Sequence, residues 1–253
     1  MTFDAQWVAL VVFVSLRLGA LLMLTPLFTQ LRAPVTFRVL LVLALAACVS
    51  AGLPTAARPA PVADPVLFAV GALSEVLLGA LLAFGLHCAF AALHLAAKVV
   101  DLQMGLGVGG IFDPATRSQQ SPLYLGLQWL AVLVFLSIDG HHALLRGIAY
   151  SLERVPAGVP FIGYAGDEVV RMFGAVFSMG VLVGAPVMAA MLLLEGGLAV
   201  VSKALPQMNV FFVSMPIKVL LGLGMLALLS RQLAPLMQRG YAAVFDYWQR
   251  VLG

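Results

Sequence analysis

Pro206-Gln207-Met208-Asn209-Val210-Phe211 stands between two long apolar runs near the end of this 253-residue chain. In hydrocarbon, an amide side chain without a partner costs on the order of a few kcal/mol. The hexamer therefore reads as a turn with satisfied polar contacts between two hydrophobic segments. Lys203 precedes it and Pro216-Ile217-Lys218 follows it. A bare turn between membrane helices explains Pro, Gln and Asn there, but not their order.

The rest of the chain supports a hydrophobic, all-α fold. Hydrophobic residues make up 62% and charged residues 10%, and the mean hydropathy is +1.06. Those values exclude an ordinary soluble domain and imply helices set in lipid or packed all round by protein. The net charge of +3 comes from few charges, which gives no sign of nucleic acid. Basic residues stand mostly at segment ends (Arg32, Arg38, Arg58, Arg154, Arg231, Arg239, Arg250), as in membrane proteins. Cys48 and Cys88 lie inside apolar runs and read as small buried hydrophobes. The first segment has no basic leader or cleavage site, so it reads as a retained helix.

Apolar runs cover roughly 5–28, 39–57, 66–97, 123–150, 170–200 and 209–230. Between them lie Pro34, Pro54 to Pro65, Asp113-Pro114, Pro156 to Gly166, and Pro206. Most runs reach the roughly 20 residues that cross hydrocarbon, and helix is the state that satisfies their backbone there. The 66–97 run as one helix would measure about 48 Å against a core of about 30 Å. The orientation signals also conflict: an acidic start favours an outer N-terminus, yet six spans would leave the basic tail outside. Hydropathy does not distinguish lipid from a protein neighbour.

Arg17 sits inside an apolar run and must face a partner or an aqueous cavity. Glu75, Lys98, Asp101 and Glu195 are candidates of the same kind, as ion-pair partners or as a proton relay. From Lys98 to Ser121 the chain carries Asp101, Gln103, Gly105, Leu106, Gly107, Gly109, Gly110, Ile111, Phe112, Asp113 and Pro114. Without a strand–turn–helix unit, these glycines do not make a dinucleotide loop. They mark backbone that leaves the helix, tolerated at membrane depth where it is buried in protein or lines a watery cavity. His141-His142 after Asp139-Gly140 reads as an interfacial turn, since a zinc site would want more ligands at helical spacing. No nucleophile motif supports an enzyme, and no residue pattern calls for a cofactor.

These stretches together resemble the FliR family of flagellar export-gate proteins, related to the SctT/SpaR virulence-secretion family, over essentially the whole chain. The resemblance is carried by Arg17 with Pro26, Glu75-x3-Gly79 followed by Gly85, and Asp101-x-Gln103-x-Gly105 leading to Asp113-Pro114. It continues through Phe135-Leu136-x2-Asp139-Gly140-His141, Ser151, Pro156 and Pro186, and closes on the 206–211 hexamer with Pro216 and Lys218. Lys203 and Ser214 depart from the usual pattern, where arginine and glycine are common.

The resemblance implies a non-enzymatic subunit of the type III export gate in the bacterial inner membrane, at the flagellar basal body. It implies a FliP-like helical part over about 1–165 and a FliQ-like hairpin over about 166–253. FliP-like, FliQ-like and FlhB-like partners follow from it, as does a passage for unfolded export substrates. Residues 105–121 would correspond to the plug of the closed pore. Arg17, Glu75, Asp101, Gln103, Lys203, Pro206, Gln207, Asn209, Phe211 and Lys218 would serve buried charge and assembly. The competing class is a secondary transporter with Arg17, Glu75 and Asp101 at a midplane site, although no two-half symmetry supports it.

Overall fold

The structure is a computed structural model that describes residues 5–25, 34–53, 64–106, 122–161, 166–205, 207 and 210–253. Among the described residues the fold is all-α, in the order α1 Ala5–Leu24, α2 Val35–Gly52, α3 Pro65–Met104, α4 Pro122–Ser137, α5 Gly140–Arg154, α6 Gly166–Ala204 and α7 Val210–Leu252. Among the described residues, five helices are long and apolar enough to cross a membrane, or six spans if α4 and α5 count as one broken span.

Local chemistry sets several helix starts and stops. At α3, Pro65 stands at the first position and the Asp64 carboxylate accepts the Val66 N–H at 2.9 Å, a cap followed by the residue that needs no donor. Gly105 ends the same helix with φ 74° and gives its N–H to the Leu102 carbonyl at 3.1 Å. α6 carries Asp167 and Glu168 in its first turn and Lys203 in its last, each matched to the helix dipole.

Three expectations need correction. The apolar run 123–150 is two helices, broken at Asp139 in a left-handed conformation with φ 56°. The 66–97 run continues to Met104, so Lys98, Asp101 and Gln103 belong to a helix rather than to the glycine-rich stretch. The last run likewise extends past 230 to Leu252, through Pro216 and Pro235.

The chain packs as two compact units, and α3, α6 and α7 contribute to both. The first comprises residues 1–88, 139–172 and 241–253. Its core joins Phe13, Leu18 and Leu21 of α1, Leu78 and Leu82 of α3, and Tyr247 and Trp248 of α7, all essentially sealed from solvent. Phe13 meets Phe68 at 4.9 Å between ring centroids. The second comprises 89–138 and 173–240. There Val100 and Met104 of α3 meet Val187 and Met191 of α6, with Val219 and Met225 of α7 packed against them.

Candidate functional site: a buried arginine–carboxylate cluster

Arg17 is 1% exposed, and so is Glu75. A charge buried that deeply is tolerable only when paired and hydrogen-bonded. The structure supplies both conditions within the first unit. The Arg17 Nε donates to Glu75 Oε2 at 2.6 Å and its Nη2 to Glu75 Oε1 at 3.1 Å. This two-point fork matches the planar guanidinium to the carboxylate, which a lysine cannot do.

The rest of the guanidinium reaches two further segments. Nη1 donates to the Ser151 hydroxyl at 3.1 Å on α5, and Nη2 to the Val155 carbonyl at 2.9 Å just beyond it. Ser151 passes its own proton to the Ile148 carbonyl at 2.8 Å. From the other side, the Gly158 N–H donates to Glu75 Oε1 at 2.8 Å. Beside Glu75, the Ser74 hydroxyl accepts the Phe161 N–H at 2.7 Å and donates to the Val159 carbonyl at 3.3 Å. One ion pair thus ties α1, α3, α5 and the strap 155–161 together.

Two glycines make this approach possible. A Cβ at Gly79 would fall against the Arg17 carbonyl and lie 2.8 Å from the Ala20 Cβ, so α1 and α3 close to this distance only with a bare backbone there. Gly158 has φ 81°, and a Cβ on it would press on the Phe13 ring at 2.8 Å.

The other expected residues lie elsewhere. Asp101 is buried on α3 at 3% exposure, and its Oδ1 has no hydrogen-bond partner among the described residues. Gln103 is half-buried on the same helix. Lys98 lies over the Tyr124 ring at 5.7 Å, and among the described residues it has no ion pair. Gly105 and Leu106 follow α3, and Leu106 packs on the Val100–Met104 core. Gly107, Gly109, Gly110, Ile111, Phe112, Asp113 and Pro114 lie outside the described residues, as do Pro206 and Asn209. Gln207 is exposed in the turn between α6 and α7, Lys203 is exposed at the end of α6, and Phe211 stands in the first turn of α7. Lys218 Nζ reaches Glu195 Oε1 at 2.7 Å, a pair that the chain itself leaves partly exposed.

Sequence reasoning picked out Arg17 and Glu75 but missed the role of Ser151. Its signal lay in the α5 pattern, where Leu144, Ile148, Ser151 and Leu152 form one buried stripe. A hydroxyl on an apolar stripe needs a partner, and here it has Arg17. The neighbouring start of α5 also gathers three metal-ligating groups, Asp139, His141 and His142. Among the described residues, the contacts around Arg17 are hydrogen bonds between packed segments, and both charges are turned inward. The hydrogen bonds of Arg17 join α1, α3 and α5.

The family described as "Bacterial export proteins, family 1" matches residues 8–244. The chain is 30% identical over 212 residues to the "Flagellar biosynthetic protein FliR" of Bacillus subtilis, covering 81% of this chain and 80% of that protein. It is 33% identical to the protein of the same name from Aquifex aeolicus, over 92% and 90% of the two chains. With the "Yop proteins translocation protein T" of Yersinia pestis it shares 32% identity over 57% and 56%.

Proposed function

The chain belongs to the bacterial export proteins, family 1, the family of the FliR proteins, and on that premise we propose that it is a core subunit of the flagellar type III export gate. In this reading it joins FliP-like and FliQ-like subunits around a passage for unfolded flagellar proteins in the inner membrane. A FlhB-like protein docks on the assembly. The work is done by shape and passage rather than by bond-making chemistry. Residues up to about 165 act as the FliP-like part and the remainder as the FliQ-like hairpin.

The observation that supports this most directly is the exposed surface of α6. Val170, Phe173, Phe177, Leu182, Leu193 and Val200 are each more than half exposed along it. From Val170 to Val200 is about 45 Å at 1.5 Å per residue. A hydrocarbon core of about 30 Å does not cover that length at an ordinary tilt of about 20°. The remainder needs apolar protein neighbours. Glu75 and Arg17, with charges spent on each other, support a structural role over a substrate-binding one.

Co-expression of the tagged chain with FliP-like and FliQ-like subunits, followed by native mass spectrometry, tests the reading. A defined hetero-oligomer is expected. A stable monomer or homo-oligomer that moves a small solute would establish the transporter reading instead. The same reading makes residues 105–121 the plug, so shortening that stretch is expected to leak ions through an otherwise assembled complex.

A further inference from the structure

We propose that Asp139, His141 and His142 form a binding site for a zinc-class divalent cation at the start of α5. Each of the three offers one ligand atom, and these atoms all lie within 4.8 Å of one another. His142 Nδ1 and Asp139 Oδ1 are 3.3 Å apart. With metal bonds of about 2.0–2.2 Å, two tetrahedral ligands sit about 3.3–3.6 Å from each other. That pair already has the spacing of one coordination edge. The His141 and His142 rings lie 4.1 Å apart between centroids, so modest side-chain rotation brings the third donor in.

The donor set selects the metal. Two imidazoles and one carboxylate suit zinc, copper or nickel, whereas magnesium and calcium favour oxygen alone. All three side chains are exposed, so no buried group is stripped of other contacts. The Asp139 carboxylate supplies the negative charge that a cation near a helix N-terminus requires, since the helix dipole there is positive. Three protein ligands leave one position for water. A bound cation would tie the residue at the α4–α5 break to the first turn of α5. The site is independent of the export reading, because it rests on the side chains of one helix start.

The experiment is a zinc titration of the full chain purified in detergent, followed by isothermal calorimetry, with cobalt substitution read from its visible absorption. One equivalent per chain is expected. The double variant His141→Ala, His142→Ala should lose it. Asp139→Asn should weaken it at least about tenfold, the loss that even an outer-sphere change produces. Asparagine tolerates the left-handed backbone, so that variant keeps the fold. His87→Ala, an exposed histidine on α3, should bind as the unaltered chain does. Far-UV circular dichroism confirms equal helix content throughout. No binding at millimolar zinc overturns the proposal. So does binding that survives the double histidine variant or disappears in His87→Ala.

Discussion

Trp248, near the end of the chain, donates its indole N–H to the Leu82 carbonyl at 3.0 Å, across 166 positions of sequence. Tyr247 beside it reaches the Leu81 carbonyl at 3.2 Å. Two aromatic side chains thereby fasten the last turns of α7 to α3 within the first unit. The Trp248→Phe variant keeps most of the ring and loses the donor, at an expected cost of about 1 kcal/mol. Trp248→Ala opens a void in the sealed core and is expected to cost about 3–5 kcal/mol. Thermal unfolding in detergent, followed by circular dichroism, ranks the two. Equal midpoints would show that the ring itself contributes little.

Removing one partner of the Arg17–Glu75 pair leaves the other charge buried and alone. Arg17→Ala and Glu75→Ala are each expected to destabilise by about 3–5 kcal/mol, and Arg17→Met with Glu75→Leu by much less than the sum. Arg17→Lys is expected to fail almost as badly as alanine, because an ammonium cannot make the fork to Glu75 and also reach Ser151 and Val155. A double-mutant cycle on thermal stability reads the coupling. Additive losses would mean that the pair does not act as a unit.

Gly79 and Gly174 offer a matched comparison on helices. A methyl at Gly79 meets the Arg17 backbone, whereas one at Gly174 meets nothing within 4 Å. Gly79→Ala is expected to cost about 1–3 kcal/mol through overpacking. Gly174→Ala is expected to stabilise the isolated chain by about 0.5–1 kcal/mol, the ordinary gain of removing glycine from a helix. If Gly174→Ala instead abolishes motility while the purified chain stays stable, another subunit approaches α6 at that point.

Within the chain alone, the Lys218 and Glu195 side chains are 23% and 47% exposed. Glu195→Gln is expected to cost no more than about 1 kcal/mol, with a loss that shrinks as salt is added. Unfolding midpoints at low and high ionic strength check this. A large, salt-independent loss would show the pair to be shielded in the purified chain.

The helices were legible from the sequence because lipid-length apolar runs admit no other state, and the glycines from Gly105 onward were read as backbone that leaves the helix. Their lengths were less legible. Lys98, Asp101 and Gln103 interrupt hydropathy without interrupting the helix, and Pro235 sits inside α7 although proline commonly ends one. Arg17 and Glu75 were identifiable as charges that needed partners. Their mutual pairing was not, because it depends on how α1 lies against α3, and Gly79 controls that distance only through the fold. Ser151 was hidden for the same reason. Gln207 is exposed in the chain alone, and a polar partner for it from a neighbouring subunit remains part of the proposed assembly.

The length of the apolar surface on α6 bears on how the cell must make this protein. A newly inserted chain standing alone would show oily surface to water at one end or the other of α6 at any tilt up to about 40°. Such a molecule has no resting form to be stockpiled. Its production is then expected to keep pace with that of whatever covers α6, and excess copies are expected to become substrates for membrane proteases. Overexpression from a plasmid without the neighbouring subunits should accordingly yield a short half-life in pulse-chase labelling, and co-expression should lengthen it.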